Sequence, residues 1–178
     1  MFYEVKSLSN LAIISLDSNR ILGTLNEIII DPENGKILGL LVNAGILGKK
    51  KAVSFNDIYD WTPQGIMVRD DEAITNIDDL VRIKKIVEEK ISIIGSKVVT
   101  ENEKKLGKVV DFVINTDLGI LVKIYVEKPG LKTYFGDLLI IPANRIIAIK
   151  PKKIIVREEA LLEETDEEEE VVGQPVVM

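Results

Sequence analysis

Leu22-Gly23-Thr24-Leu25-Asn26-Glu27-Ile28-Ile29-Ile30-Asp31, followed by Gly35 and the run Ile37 to Val42, returns 84 positions later without a gap. The second occurrence is Leu106-Gly107-Lys108-Val109-Val110-Asp111-Phe112-Val113-Ile114-Asn115, then Gly119 and Leu121 to Val126. A further match lies 88 positions on: Val68-Arg69-Asp70-Asp71 becomes Val156-Arg157-Glu158-Glu159, and Val53 to Ile58 becomes Ile141 to Ile146. A period this long, with one internal change of length, describes two copies of one small domain rather than a solenoid.

Within each copy the apolar runs are short and bounded by turn residues, as strands require. Leu11 to Ser15 reads as a strand, Asp17-Ser18-Asn19 as a turn, and Leu25, Ile28 and Ile30 as β-rich chain. Asp31-Pro32-Glu33-Asn34-Gly35 is a hairpin turn: Pro presets φ, Asp caps through its side chain and Gly takes the left-handed position. Asn115-Thr116-Asp117-Leu118-Gly119 keeps the length and the final Gly but not the Pro. Val53 to Phe55, Leu138 to Ile141, Ile66 to Val68 and Ile154 to Val156 complete the strand set. Phe55 to Ile58 and Ala143 to Ile146 each suit one helical turn. Between the copies, Ile77, Leu80, Val81, Ile83, Ile86 and Val87 alternate with charges, and this pattern predicts a connecting helix over 78–90. The acids near its start and bases near its end suit the helix dipole.

Composition narrows the chemistry. The 178 residues contain no Cys and no His, which removes disulfides, thiolate nucleophiles, His bases and the usual zinc sites. Hydrophobic residues make up 46% and aromatics only 5%, so the cores are aliphatic. A copy of roughly 65 residues buries only about 60% of its unfolded surface, so association between copies or chains is expected. No apolar run reaches the ~18 residues of a membrane span. No basic segment followed by an apolar core opens the chain. The expectation is a cytoplasmic protein with no integral membrane segment.

The net charge of −6 is segregated. Residues 158–178 hold nine acids and no base, leaving residues 1–157 with 23 bases against 20 acids. Residues 93–157 alone carry 12 bases and 6 acids. A basic second copy is thus followed by an acidic tail, expected to be disordered and to lie transiently over the basic copy.

Leu-Gly-x-x-x-[Asp/Glu]-x-x-x-[Asp/Asn]-x-x-x-Gly-x-[Ile/Leu], then a strand, then Ile-Pro or Val-Ser with an Asn-x-Ile segment, resembles the PRC-barrel family. That family includes a domain of the photosynthetic reaction-centre H subunit and the C-terminal domain of the ribosome maturation factor RimM. The resemblance covers most of residues 5–72 and 92–157. It implies a mainly all-β chain with two small barrels in tandem: residues 1–74 and 92–160, joined by a helical linker over 75–91 and followed by the tail at 161–178. RimM joins its barrel to a different N-terminal barrel, and the H subunit carries a membrane helix; neither is visible here. The chain resembles the stand-alone tandem group, whose role is binding without known catalysis.

No motif argues for an enzyme, a cofactor or a metal. Asp31 and Glu33 lack the spacing of a calcium loop, and turn chemistry accounts for them. Asp70/Asp71 and Glu158/Glu159 follow closing strands and read as solvated surface. Gly45 to Lys49 lacks the spacing of a phosphate loop. The candidate interaction residues are the glycine-flanked loops, with apolar tips beside lysines: Ile46, Leu47, Lys49, Lys50 and Lys51 in the first copy, and Leu131, Lys132, Tyr134 and Phe135 in the second. Trp61 is expected in the core or between the copies. The expected function is a non-catalytic protein-interaction or adaptor module, with a protein partner or a second copy of the chain. The alternative is an RNA- or ribosome-associated factor by analogy with RimM, using the lysines.

Overall fold

A computed structural model describes residues 1–44, 50–129 and 138–158. The first strands in chain order are β1 (Phe2–Glu4), β2 (Ala12–Ser15), β3 (Ile21–Ile30), β4 (Ile37–Asn43), β5 (Lys51–Ser54), β6 (Ile58–Thr62), β7 (Gly65–Val68) and β8 (Thr75–Asn76). The helix α1 (Val81–Glu88) leads to β9 (Lys97–Thr100), β10 (Lys105–Asn115), β11 (Ile120–Glu127), β12 (Leu138–Pro142), β13 (Ile146–Lys150) and β14 (Lys153–Val156). The helix is shorter than its periodicity predicts. A 3-10 turn over Ile77–Asp79 precedes it, and Lys90, at φ 56°, turns the chain out of it.

Each copy builds its own sheet, in the order β6-β7-β2-β3-β4-β5-β8 for the first and β12-β11-β10-β9-β14-β13 for the second. The registers repeat with the sequence. Ile13 lies opposite Gly23 and beside Ile66; Val98 lies opposite Gly107 and beside Ile154. The β3–β4 ladder shifts register between Leu25 and Glu27 and again between Ile29 and Ile30. The β10–β11 ladder shifts between Val109 and Asp111 and between Val113 and Ile114. Such shifts bend and twist a sheet, and their repetition gives both copies the same curvature. At Gly23 a Cβ would sit 2.6 Å from the carbonyl oxygen of Asn43; at Gly107 it would run into that of Glu127. The shared glycine therefore permits the shared close approach of neighbouring strands.

The copies are joined by their hairpin turns. Gly35 and Gly119 both adopt left-handed backbone, at φ 71° and 63°. Ile37 N–H donates to the Gly119 carbonyl and Leu121 N–H to the Gly35 carbonyl, both at 2.8 Å. The two turns thus exchange one bond each around a local pseudo-two-fold axis.

The segment before each copy crosses to the other. β1 pairs antiparallel with the end of β10, and the next 3-10 turn, Val5–Leu8, packs on β10 with Lys6 N–H donating to Asp111 Oδ1 at 3.0 Å. Asp111 has Glu27 as its counterpart in the first copy. Glu27 accepts from Ser92 Oγ at 2.8 Å, while Ile91 and Ile93 are buried nearby in the chain leading to β9. Trp61 belongs to this exchange: it is buried, and Tyr3 lies 6.3 Å away ring to ring and donates to the Trp61 carbonyl. The buried side chains of both copies form one continuous, mainly aliphatic cluster that includes Trp61 and Phe112. Each full burial of an Ile or Leu contributes about 1.5–3 kcal/mol.

Candidate interaction surface

The two copies differ in what covers the outer face of the sheet. In the first, β8 adds to the β5 edge, with Thr75 opposite Ala52 and Asn76 opposite Lys51. The helix α1 then packs over β4, burying Ile83 and Ile86. It comes close because Gly39 has no side chain: a Cβ there would lie 2.8 Å from Ile83 Cδ1 and would also meet the Val53 carbonyl. Arg82, at the start of α1, fixes the helix through an ion pair at 2.6 Å to Asp31, which is 1% exposed. That contact, with Glu33 adding to it, pushes the Arg82 guanidinium further up from its ordinary range. Lys84 pairs with Asp78 at 2.9 Å, which raises the lysine's pKa.

In the second copy, β12 pairs only with β11 among the described residues. Ile140 is opposite Tyr125, as Ala52 is opposite Leu41 in the first copy, so Ile140 and Ala52 are equivalent. Ala52 is 0% exposed and Ile140 is 45% exposed. Leu138, at the position of Lys50, is 40% exposed. Leu139 and Ile141 face the opposite way into the core. Gly39 is replaced by Lys123, whose ammonium lies 5.3 Å from the Tyr125 ring centroid. The Tyr125 hydroxyl donates to Glu4 Oε1 at 3.3 Å. The result is an apolar strip of Leu138, Ile140 and Tyr125 on β11–β12, flanked by Lys123 and Glu127. Two exposed aliphatic side chains beside a half-buried aromatic, with a charged rim, suit a protein contact.

Of the sequence candidates, Lys50 and Lys51 are described. Lys50 precedes β5 and is exposed; Lys51 opens β5 and is half-buried. Both line a cleft of about 630 Å³ with Lys90, across from Glu27 and Ser92. Ile46, Leu47, Lys49, Leu131, Lys132, Tyr134 and Phe135 lie outside the described residues, as does the acidic tail beyond Glu158. The strip on β12 was missed because an unbroken apolar run, Leu138 to Ile141, reads as a strand buried on both faces. The signal was available by aligning it with Lys51-Ala52-Val53-Ser54, whose outward positions are small or polar.

Other carboxylates serve the scaffold. Ser18 Oγ donates to Asp71 at 2.5 Å and Arg20 at 2.6 Å. These bonds, Ser18 first and then Ser15 and Arg20, hold Asp71 below the ordinary carboxylate range. Among the described residues, no group of three or more acidic side chains could hold a metal ion. No helix among them is long and apolar enough to cross a membrane.

The PRC-barrel domain family matches this chain twice, over residues 1–75 and 89–162. The chain belongs to that family, with two PRC-barrel domains in tandem. A search of curated proteins found no match to it.

Proposed function

We propose that this tandem PRC-barrel protein is a non-catalytic protein-interaction module, and that the outer face of β11–β12 is its docking surface. The observation that carries this reading is the contrast between Ile140, 45% exposed, and its fully covered counterpart Ala52. A duplicated domain that hides this position in one copy and exposes a larger apolar side chain in the other has one face to offer. The absence of His and Cys from the sequence agrees with a binding role. The test is a photo-crosslinking amino acid placed at position 140, with Ile21, an isoleucine that is more exposed still, as control. Capture of one defined partner at 140 but not at 21, abolished by Tyr125→Asp, is expected. Equal capture at both positions overturns the reading.

The lysine-lined cleft of Lys50, Lys51 and Lys90 favours a second reading, contact with an anionic polymer such as RNA. Three phosphate contacts would give a steep fall of affinity with salt, with a slope of about −2 to −3 in log–log form. Binding that is flat with salt excludes it.

A further inference from the structure

We infer that the cavity between β6 and the Asn115–Gly119 turn is a binding site for an organic cation, an alkylammonium or guanidinium group. The cavity shares no residue with the β11–β12 face and does not depend on it.

It holds about 310 Å³, and its walls include Phe55, Tyr59, Asp60, Trp61 and Asp117. Aromatic residues are only 5% of the chain, yet three of them meet here. Two of the rings are held from behind. The Trp61 ring lies 6.3 Å from that of Tyr3, whose hydroxyl donates to the Trp61 carbonyl. The Phe55 ring lies against Gly119, where a Cβ would come within 2.7 Å of it. Among the described residues the lining carries two carboxylates and no Lys or Arg. Asp117 pairs with the Met1 ammonium, so one cationic group already rests at this rim. Asp60 accepts from Trp61 N–H at 2.8 Å and has no ion pair among the described residues. Aromatic faces carry a negative quadrupole that attracts an organic cation, and a carboxylate beside them supplies the full charge. A metal ion fits less well, because hard cations take several oxygens and the described residues hold no group of three acids.

The duplication supplies the comparison. The equivalent cavity of the second copy, about 330 Å³, lies between β13 and the Asp31–Gly35 turn. There Ala143 replaces Phe55, Ile147 replaces Tyr59, Ala148 replaces Asp60 and Ile149 replaces Trp61. Glu33 stands for Asp117 and is already paired with Arg82. The shared fold accounts for a cavity in each copy. It does not account for the rings and the unpaired carboxylate in one of them. Packing does not require them either: Ile149 is buried as deeply as Trp61, and both Tyr59 and Asp60 are exposed.

Trp61 is the one tryptophan of the chain, so its indole N–H resonance and its fluorescence report on this cavity alone. The full chain is titrated at constant ionic strength with tetramethylammonium, with N-acetyl-argininamide and with N-acetyl-citrullinamide, which keeps the shape of the arginine derivative without its charge. A saturating shift of the indole resonance with a cation is expected, and the neutral analogue should bind at least about fivefold more weakly, the scale of one partly exposed cation–π contact. Saturation by tetramethylammonium alone assigns an alkylammonium ligand, and saturation by the arginine derivative alone assigns a guanidinium. Asp60→Asn keeps an acceptor for Trp61 N–H and removes the charge; Tyr59→Ile installs the residue of the second copy. Each should weaken cation binding about fivefold. Both positions are exposed, and an unchanged urea midpoint shows that the fold is kept. An indole resonance unmoved by either cation overturns the site. Citrulline and arginine derivatives binding equally well overturn its preference for charge, and so does unchanged affinity in the two variants.

Discussion

At the residue scale, Asp31 and Asn115 stand at the same corner of the same turn. Asp31 Oδ1 accepts from Glu33 N–H at 3.0 Å, and Asn115 Oδ1 accepts from the N–H groups of Asp117 and Leu118 at 3.0 Å. Asp31 also takes a cation, Arg82. Asp31→Asn therefore keeps the turn and loses the ion pair, while Asp31→Ala loses both. The alanine is expected to be less stable than the asparagine by about 1 kcal/mol in urea unfolding, the worth of one hydrogen bond. Equal midpoints would show that the cap contributes nothing. The two turn glycines give a second comparison. An added Cβ at Gly35 meets nothing nearer than 4.0 Å, whereas at Gly119 it meets the Phe55 ring at 2.7 Å. Both alanine substitutions carry the left-handed penalty of about 1–2 kcal/mol. Gly119→Ala should cost about 1 kcal/mol more, from crowding alone. A larger loss at Gly35 would contradict this. Asp71 gives a titration. Its folded pKa is depressed, chiefly by Ser18, so its pairing stabilises the fold above the ordinary carboxylate range and is lost as pH falls through the lowered value. Ser18→Ala should move the carboxyl resonance titration of Asp71 upward; an unmoved titration would reassign the cause.

At the element scale, the pair Gly39/Lys123 is one of the positions at which the copies differ, and it decides whether a helix can approach the sheet. Gly39→Lys, which copies the second domain into the first, places a Cβ against the Val53 carbonyl and Ile83. It is expected to cost about 1–3 kcal/mol by overpacking and to raise amide exchange in α1 before the sheet. Lys123→Gly has no helix to accommodate among the described residues, and should cost no more than the ~1 kcal/mol of a glycine in a strand. Matching losses at the two positions would mean that α1 does not depend on the glycine. The hairpins, their glycines and the repeated turns were legible in the sequence because they are local: a left-handed residue or a register-setting turn is written in a few neighbouring side chains. The helix ends were less so, because Leu80 and Lys90 stop α1 through backbone conformation and not through composition. The exposed strip on β12 was not legible from Leu138 to Ile141 alone, which has the same pattern whether or not a neighbouring element covers it; only the small outward residues at the equivalent positions of the first copy mark it.

At the scale of the whole molecule, the two barrels are not separable units laid side by side. β1 and the turn Val5–Leu8 precede the first barrel in sequence and complete the second in space, while residues 91–93 do the reverse. Nothing in local periodicity announces that exchange, since the pairing partner of Phe2 is Asn115, more than a hundred residues away. The exchange has an energetic consequence. A copy of this size is marginal alone, and here each lacks part of its cover without the other. One cooperative unfolding transition is therefore expected, with the calorimetric and van't Hoff enthalpies equal. The sharper test is a substitution whose effect appears in the wrong half of the sequence. Leu8 is 4% exposed and ends the turn that packs on β10. Leu8→Ala should cost about 2–5 kcal/mol through the lost side chain and the cavity it leaves. In native-state hydrogen exchange the lost protection should appear in β10 and β11 at least as strongly as in β3 and β4. Protection lost from the first sheet alone, or two resolved thermal transitions, would return the molecule to a pair of independent barrels. It would also remove the reason why this duplication keeps its copies on one chain.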